Sequence, residues 1–221
     1  MKKLILYAML IFPVSLMAQI GIKAGLNFAN ITKASDINNS SKTGFHAGIF
    51  LAPPSRGVIG SRTEFIFSRQ GYNFKTSTKT GNVNLDYIML PQYMSINITK
   101  YFSIQFGGQM AYLISANADT TNSSSGSSDP FGGYMELYNR LDYGYGGGIE
   151  IHPVSGLVIG GRFNISLNKL YDFSSFTTPS GDPTDFIPKI DVKNNVFQIF
   201  AGWRFGKQPA SKKKEKEAPK P

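Results

Sequence analysis

Eight stretches of this chain, each about ten residues long, alternate apolar and polar side chains, and the connections between them alternate short and long. A strand places successive side chains on opposite faces, so each stretch has one oily face and one that is polar or bare. In the cleanest, 20–30, Ile20, Ile22, Ala24, Leu26 and Phe28 share one face, with Gly21, Lys23, Gly25 and Asn27 on the other. A barrel standing in a membrane needs an oily outside and tolerates a polar inside. A soluble barrel, the rival fold, would have to turn its polar face outward, and the glycines and charges fall on the wrong side for that.

The alternation predicts strands at 20–30, 43–52, 58–69, 83–96, 102–114, 139–151, 157–168 and 194–205. The fourth is the weakest: Leu85, Tyr87, Met89 and Tyr93 form its oily face, and Pro91 predicts a bulge or local distortion because proline cannot donate to the ladder. Connections 53–57, 97–101 and 152–156 are tight. Connections 30–42, 70–82, 115–138 and 169–193 are long and rich in Ser, Thr, Asn, Asp and Gly. Outer-membrane barrels have an even strand count, short periplasmic turns and longer outer loops, which places both termini in the periplasm. The fold class is all-β: an eight-stranded antiparallel up-and-down transmembrane barrel over residues 19–205.

Residues 1–18 read as a secretory signal peptide, with Lys2 and Lys3 ahead of the apolar run 4–16 and cleavage before Gln19. Residues 206–221 form a Lys- and Pro-rich tail, expected to be disordered and periplasmic. No later apolar run reaches the ~20 residues that a spanning helix needs. The chain has no cysteine, which excludes disulfides, a lipid-modified cysteine anchor and thiolate zinc sites. Most of the formal net charge of +9 sits in leader and tail, so the body presents no basic face for nucleic acid. No cofactor or metal is expected, since no cluster of ligand types has metal spacing.

Aromatic rings favour the headgroup level. Phe28, Phe45, Phe67, Tyr87, Tyr112 and Tyr143 are expected to form the outer girdle, and Tyr93, Trp203 and Phe205 the inner one. The order and spacing of Gly44-Phe45-His46-Ala47-Gly48, Glu64-Phe65-Ile66-Phe67-Ser68-Arg69-Gln70-Gly71, Leu85-Asp86-Tyr87-Ile88-Met89-Leu90-Pro91 and Gly107-Gly108-Gln109-Met110-Ala111-Tyr112-Leu113, with the last strand through Trp203-Arg204-Phe205, resemble the PorT-like outer-membrane β-barrel family of Bacteroidetes-type bacteria. That resemblance implies an eight-stranded barrel resident in the outer membrane, and a terminal aromatic strand read by the barrel-insertion machinery. It carries over no catalytic residue.

Lys23, Arg62, Glu64, Asp142, Glu150, Arg162 and Arg204 share the inward phase. An eight-stranded barrel is just wide enough to be filled by side chains, and isolated charges there are costly, so a salt-bridged plug is expected. A narrow conduction path is the alternative. His46 and His152 are the only histidines, and His46 is read as a polar wall residue rather than the base of a lipid-modifying enzyme. The expected function is that of a structural or interaction protein without enzymatic activity. Its partners are outer-membrane lipid, the insertion machinery, and an envelope protein or surface polymer met through the outer loops. A narrow pore or secretion-associated barrel stays open as the alternative.

Overall fold

Hydrocarbon offers no partner for an open N–H or C=O, so alternating strands in lipid must pair along both edges. In a computed structural model, which describes residues 19–32, 38–53, 57–75, 80–120, 138–171 and 192–206, eight antiparallel strands meet that demand by closing into a ring. They are β1 (Gln19–Thr32), β2 (Asn38–Ala52), β3 (Ile59–Lys75), β4 (Thr80–Asn97), β5 (Phe102–Thr120), β6 (Leu141–Ile151), β7 (Leu157–Ser166) and β8 (Lys193–Arg204). Each pairs with its neighbours in sequence, and β1 closes on β8 through pairs from Gly21–Arg204 to Thr32–Lys193. The leader, the tail from residue 207 and the middles of the long connections lie outside the described residues.

Three of the long connections are partly strand. β2 and β3 pair out to Asn38–Lys75, β3 and β4 to Lys75–Thr80, and β4 and β5 to Gly81–Thr120. A membrane strand needs only about 9–11 residues, so the 19 residues of β5 carry it well past the outer membrane surface. On β3 the inward positions are Arg62, Glu64, Ile66, Ser68, Gln70, Tyr72 and Phe74. The phase is continuous while the chemistry inverts: polar inside where lipid surrounds the wall, apolar inside where water does.

The reading of β4 is corrected by the structure. Leu85, Tyr87, Met89 and Tyr93 face the lumen, each almost fully buried, and the lipid-facing set is Ile88, Leu90, Gln92, Met94 and Ile96. Apolar residues on both faces between Tyr87 and Leu90 left the period ambiguous. Pro91 stays in step with Gln109 of β5, while toward β3 the pairing lapses between Thr63–Gln92 and Ile66–Met89 without a change of register. The bulge itself lies nearer the outer end. Asp86 pairs with Ser115 and Tyr87 with Leu113, which makes Ile114 the extra residue.

The β4–β5 and β6–β7 turns, at the periplasmic end, are tight. Between β6 and β7, Leu157 N–H bonds Val154 C=O at 3.2 Å, and Gly156 takes a φ of 94°. A Cβ at Gly156 would stand 3.0 Å from the Trp203 ring, so both backbone and space call for glycine. On the inward face of β6, a Cβ at Gly144 would meet the Ile165 carbonyl oxygen at 2.1 Å and one at Gly148 the Gly161 oxygen at 2.1 Å, which is the crowding of a narrow curved wall.

Candidate functional site

The lumen is filled in layers, and each layer follows from the inward residues of a few strands. In the periplasmic half, Glu64 of β3 stands between cations from three strands. Its Oε2 accepts from Lys23 Nζ at 3.1 Å and from Arg162 Nη1 at 2.9 Å, and its Oε1 accepts from Arg162 Nη2 at 3.1 Å. Arg62 lies 3.8 Å from Glu64 Oε1 and bonds Glu150 of β6 directly. Arg162 Nη2 also donates to Gln105 Oε1 at 2.7 Å. Aromatic faces cover the remaining sides of these cations: Phe200 lies 3.8 Å from Lys23 Nζ, Tyr93 3.8 Å from the Arg162 guanidinium, and Phe50 4.5 Å from that of Arg62. Three cations and two carboxylates thus share one desolvated cluster, an arrangement tolerable only because each charge has a partner.

Above it lies a neutral hydrogen-bonded layer. Asn27 Oδ1 accepts from His46 Nδ1 at 2.8 Å and from Gln198 Nε2 at 3.0 Å, and Asn27 Nδ2 donates to Ser68 Oγ at 2.9 Å. An amide oxygen only accepts, so the His46 proton sits on Nδ1. Gln70 Nε2 donates to the same Ser68 oxygen at 2.9 Å, and Asn194 Nδ2 to Gln70 Oε1 at 2.5 Å. Tyr93 OH donates to Asn164 Oδ1 at 2.8 Å.

The outer layer is apolar. Tyr72, Phe74, Val83, Leu85, Tyr87, Leu113, Tyr138, Leu170, Tyr171 and Val192 belong to one buried cluster. Asn139 N–H to Leu170 C=O at 3.0 Å and Leu170 N–H to Val192 C=O at 2.9 Å tie the ends of the outer connections over it. The Tyr72 and Tyr171 hydroxyls bond each other. Burial pushes the Tyr138 hydroxyl up to about 12 and those of Tyr72 and Tyr171 well above the ordinary phenol value, so the cap stays neutral. Beside it a cleft touched by Tyr87, Asp142, Ser166 and Asn194 is too tight for a water molecule.

Of the seven charged residues expected in the lumen, the structure brings Lys23, Arg62, Glu64, Glu150 and Arg162 into one network. Asp142 is elsewhere, at the outer end, bonded by the Ser166 hydroxyl. Arg204 is half-buried at the periplasmic mouth and has no ion pair among the described residues. Of the nine girdle aromatics, Phe28, Phe45, Phe67, Tyr112, Tyr143, Trp203 and Phe205 face outward, with Phe45 and Phe67 rings 5.8 Å apart. Tyr87 and Tyr93 do not: both are 1 % exposed and belong to the lumen. Asn27, Gln70, Gln105, Asn164 and Gln198 complete the plug. The inward phase of Asn27, Gln105, Asn164 and Gln198 was visible in the sequence, but uncharged amides gave no reason to single them out, and Gln70 fell in the expected connection 70–82. His46 faces an amide on Nδ1 and has no partner on Nε2, and no group of three or more metal-ligating residues occurs among the described residues.

The chain matches the family described as outer membrane protein beta-barrel domain over residues 12–172. Among solved structures, it is similar to Ail, the attachment invasion locus protein of Yersinia pestis, at 15 % identity, covering 85 % of this chain and 99 % of that one, with a TM-score of 0.46. It is similar to Neisserial surface protein A at 12 % identity, covering 84 % and 97 %, with a TM-score of 0.47. Similarity to the outer membrane protein OprG from Pseudomonas aeruginosa is at 9 % identity, covering 86 % and 97 %, with a TM-score of 0.44. No curated protein matches.

Proposed function

Since the chain belongs to the outer-membrane protein β-barrel family and resides in the outer membrane, we propose that it is a non-enzymatic interaction protein of that membrane, with its outer end as the working surface. The supporting observation is the filled lumen: an ion-paired cluster below, an amide layer in the middle and an apolar cap above. A barrel closed to small solutes leaves its rim for recognition, and loops carried on a rigid wall are where binding usually resides. Here the wall itself contributes. Strands β2 to β5 rise roughly 12 to 20 Å beyond the lipid, from their excess length and the usual strand tilt.

The outer edge of β5 adds to this reading. Residues 115–120 pair with β4, while the β5–β6 ladder reaches outward only to Tyr112–Leu141 among the described residues. A strand edge above the membrane that no described residue pairs suits partners that dock by strand addition. An envelope protein or surface polymer is the class of partner that such a rim would meet. We place the chain with the PorT-like barrels of Bacteroidetes-type bacteria, led across the inner membrane by the segment 1–18, on the motif order in its strands. The pore reading draws on the polar residues that line the lumen up to Asn194, but they end beneath the apolar cap.

Replacing the β3–β4 tip, residues 73–82, with a two-residue turn tests the proposal. The shortened chain should still run as a compact, heat-modifiable barrel on gels but lose the envelope partners that the full chain retains after cross-linking in whole cells. An unchanged partner set would contradict it.

A further inference from the structure

One polar island interrupts the lipid-facing surface. On the outward face of β4, Gln92 stands between Leu90 and Met94, both about half exposed to the surroundings. Opposite it on β3, Thr63 donates its hydroxyl hydrogen to Gln92 Oε1 at 2.5 Å. The Gln92 amide nitrogen, with two hydrogens to give, has no partner among the described residues. On the other side, Gly108 of β5 is in register with Gln92, and a Cβ there would meet nothing nearer than the Gly144 oxygen at 3.7 Å. Ser61 extends the island along β3. At the outward positions of β1 (20–28) and β8 (197–205), by contrast, stand only apolar and aromatic residues, and at those of β6 (141–151) apolar residues, glycine and the tyrosines Tyr143 and Tyr145, the second in register with Gly108.

Hydrocarbon gives a carboxamide nothing to bond, so this group is out of place on a surface that meets lipid alone. We propose that the island formed by Ser61, Thr63, Gln92 and Gly108 is the contact through which two copies of this chain associate within the membrane. The occupant follows from symmetry and chemistry together. Both copies insert in the same sense, so a two-fold axis relating them runs along the membrane normal. A residue beside that axis meets its own counterpart at the same depth: Gln92 faces Gln92 of the partner subunit. A carboxamide is donor and acceptor at once and is therefore its own complement. The missing side chain at Gly108 and the short ones at Ser61 and Thr63 leave the Gln92 carboxamide uncovered from both neighbouring strands, so that the side chain of a facing copy can reach it.

The chain has no cysteine, which makes a direct test simple. Full-length Gln92→Cys and Ile199→Cys proteins are reconstituted in phosphatidylcholine vesicles over a series of protein-to-lipid ratios and mildly oxidised. Ile199 is a lipid-facing residue of β8, across the ring from β4. The proposal expects a disulfide-linked dimer from position 92, persisting on lipid dilution, and none above random collision from position 199. In parallel, Gln92→Leu should weaken association on the order of tenfold by energy transfer between labelled copies, the worth of a pair of interfacial hydrogen bonds in a membrane. Its heat-modifiable gel shift should be retained. Equal cross-linking at the two positions, unchanged association of Gln92→Leu, or a monomer at every ratio would overturn the proposal. So would cross-linking in native membranes from position 92 to a different barrel alone.

Discussion

Glu64 is within ion-pair distance of Lys23, Arg62 and Arg162. Truncation to alanine would leave buried cations with Glu150 as their sole carboxylate partner in the cluster. Removing one partner of a buried pair costs roughly 3–5 kcal/mol, because the other charge stays desolvated and unpaired. Glu64→Ala is therefore expected to lower the free energy of unfolding, measured by urea titration in lipid vesicles, by that order, whereas Asp142→Ala, at the outer end with a serine partner, should cost far less. Equal losses would show that the cluster is no more than the sum of separate wall contacts. At this scale the sequence was informative wherever one face was plainly oily: in β1, β3 and β7 the alternation put Lys23, Glu64 and Arg162 inside. It failed at Tyr87 and Tyr93. Reading them as lipid-facing rested on the rule that apolar means outward, which does not hold for Tyr87 beneath the apolar cap or for Tyr93, whose hydroxyl is spent on Asn164 and whose ring covers Arg162.

At the scale of elements, the closing strand carries the heaviest duty. β8 pairs with β1 from Gly21–Arg204 outward, and Phe205 N–H bonds Ile20 C=O at 2.7 Å. A chain ending before Trp203 leaves the periplasmic end of β1 with open backbone groups facing lipid, at several kcal/mol per group. A chain ending at Gly206 keeps every one of these pairs. The shorter chain should lose the compact, heat-modifiable band on gels and the longer one should keep it. Loss in both would shift the assembly information to the tail. Strand number, order and the tight turns could be read from sequence because lipid imposes a strict two-residue period on the spanning segments. The outer limits of β2 to β5 could not. Beyond the membrane the wall turns Asn73, Lys75 and Asn82 outward into water, and a run of such residues is indistinguishable from a loop until its pairing is seen.

Taken as a whole molecule, the barrel is two environments on one set of strands. Its lower part is an inverted protein, oily outside and ion-paired within; its upper part is an ordinary one, with an apolar core sealed by Tyr72, Tyr138 and Tyr171. The amide layer meets the cap directly, with Gln70 Nε2 3.4 Å from Met89 Sδ, which is why recognition at the rim, rather than passage through the wall, fits the molecule. Recording from the purified full-length chain in planar lipid bilayers tests this most directly. The membrane is expected to stay silent, with no discrete conductance steps at any holding potential that the bilayer withstands. Discrete, reproducible steps from the unmodified protein would contradict it.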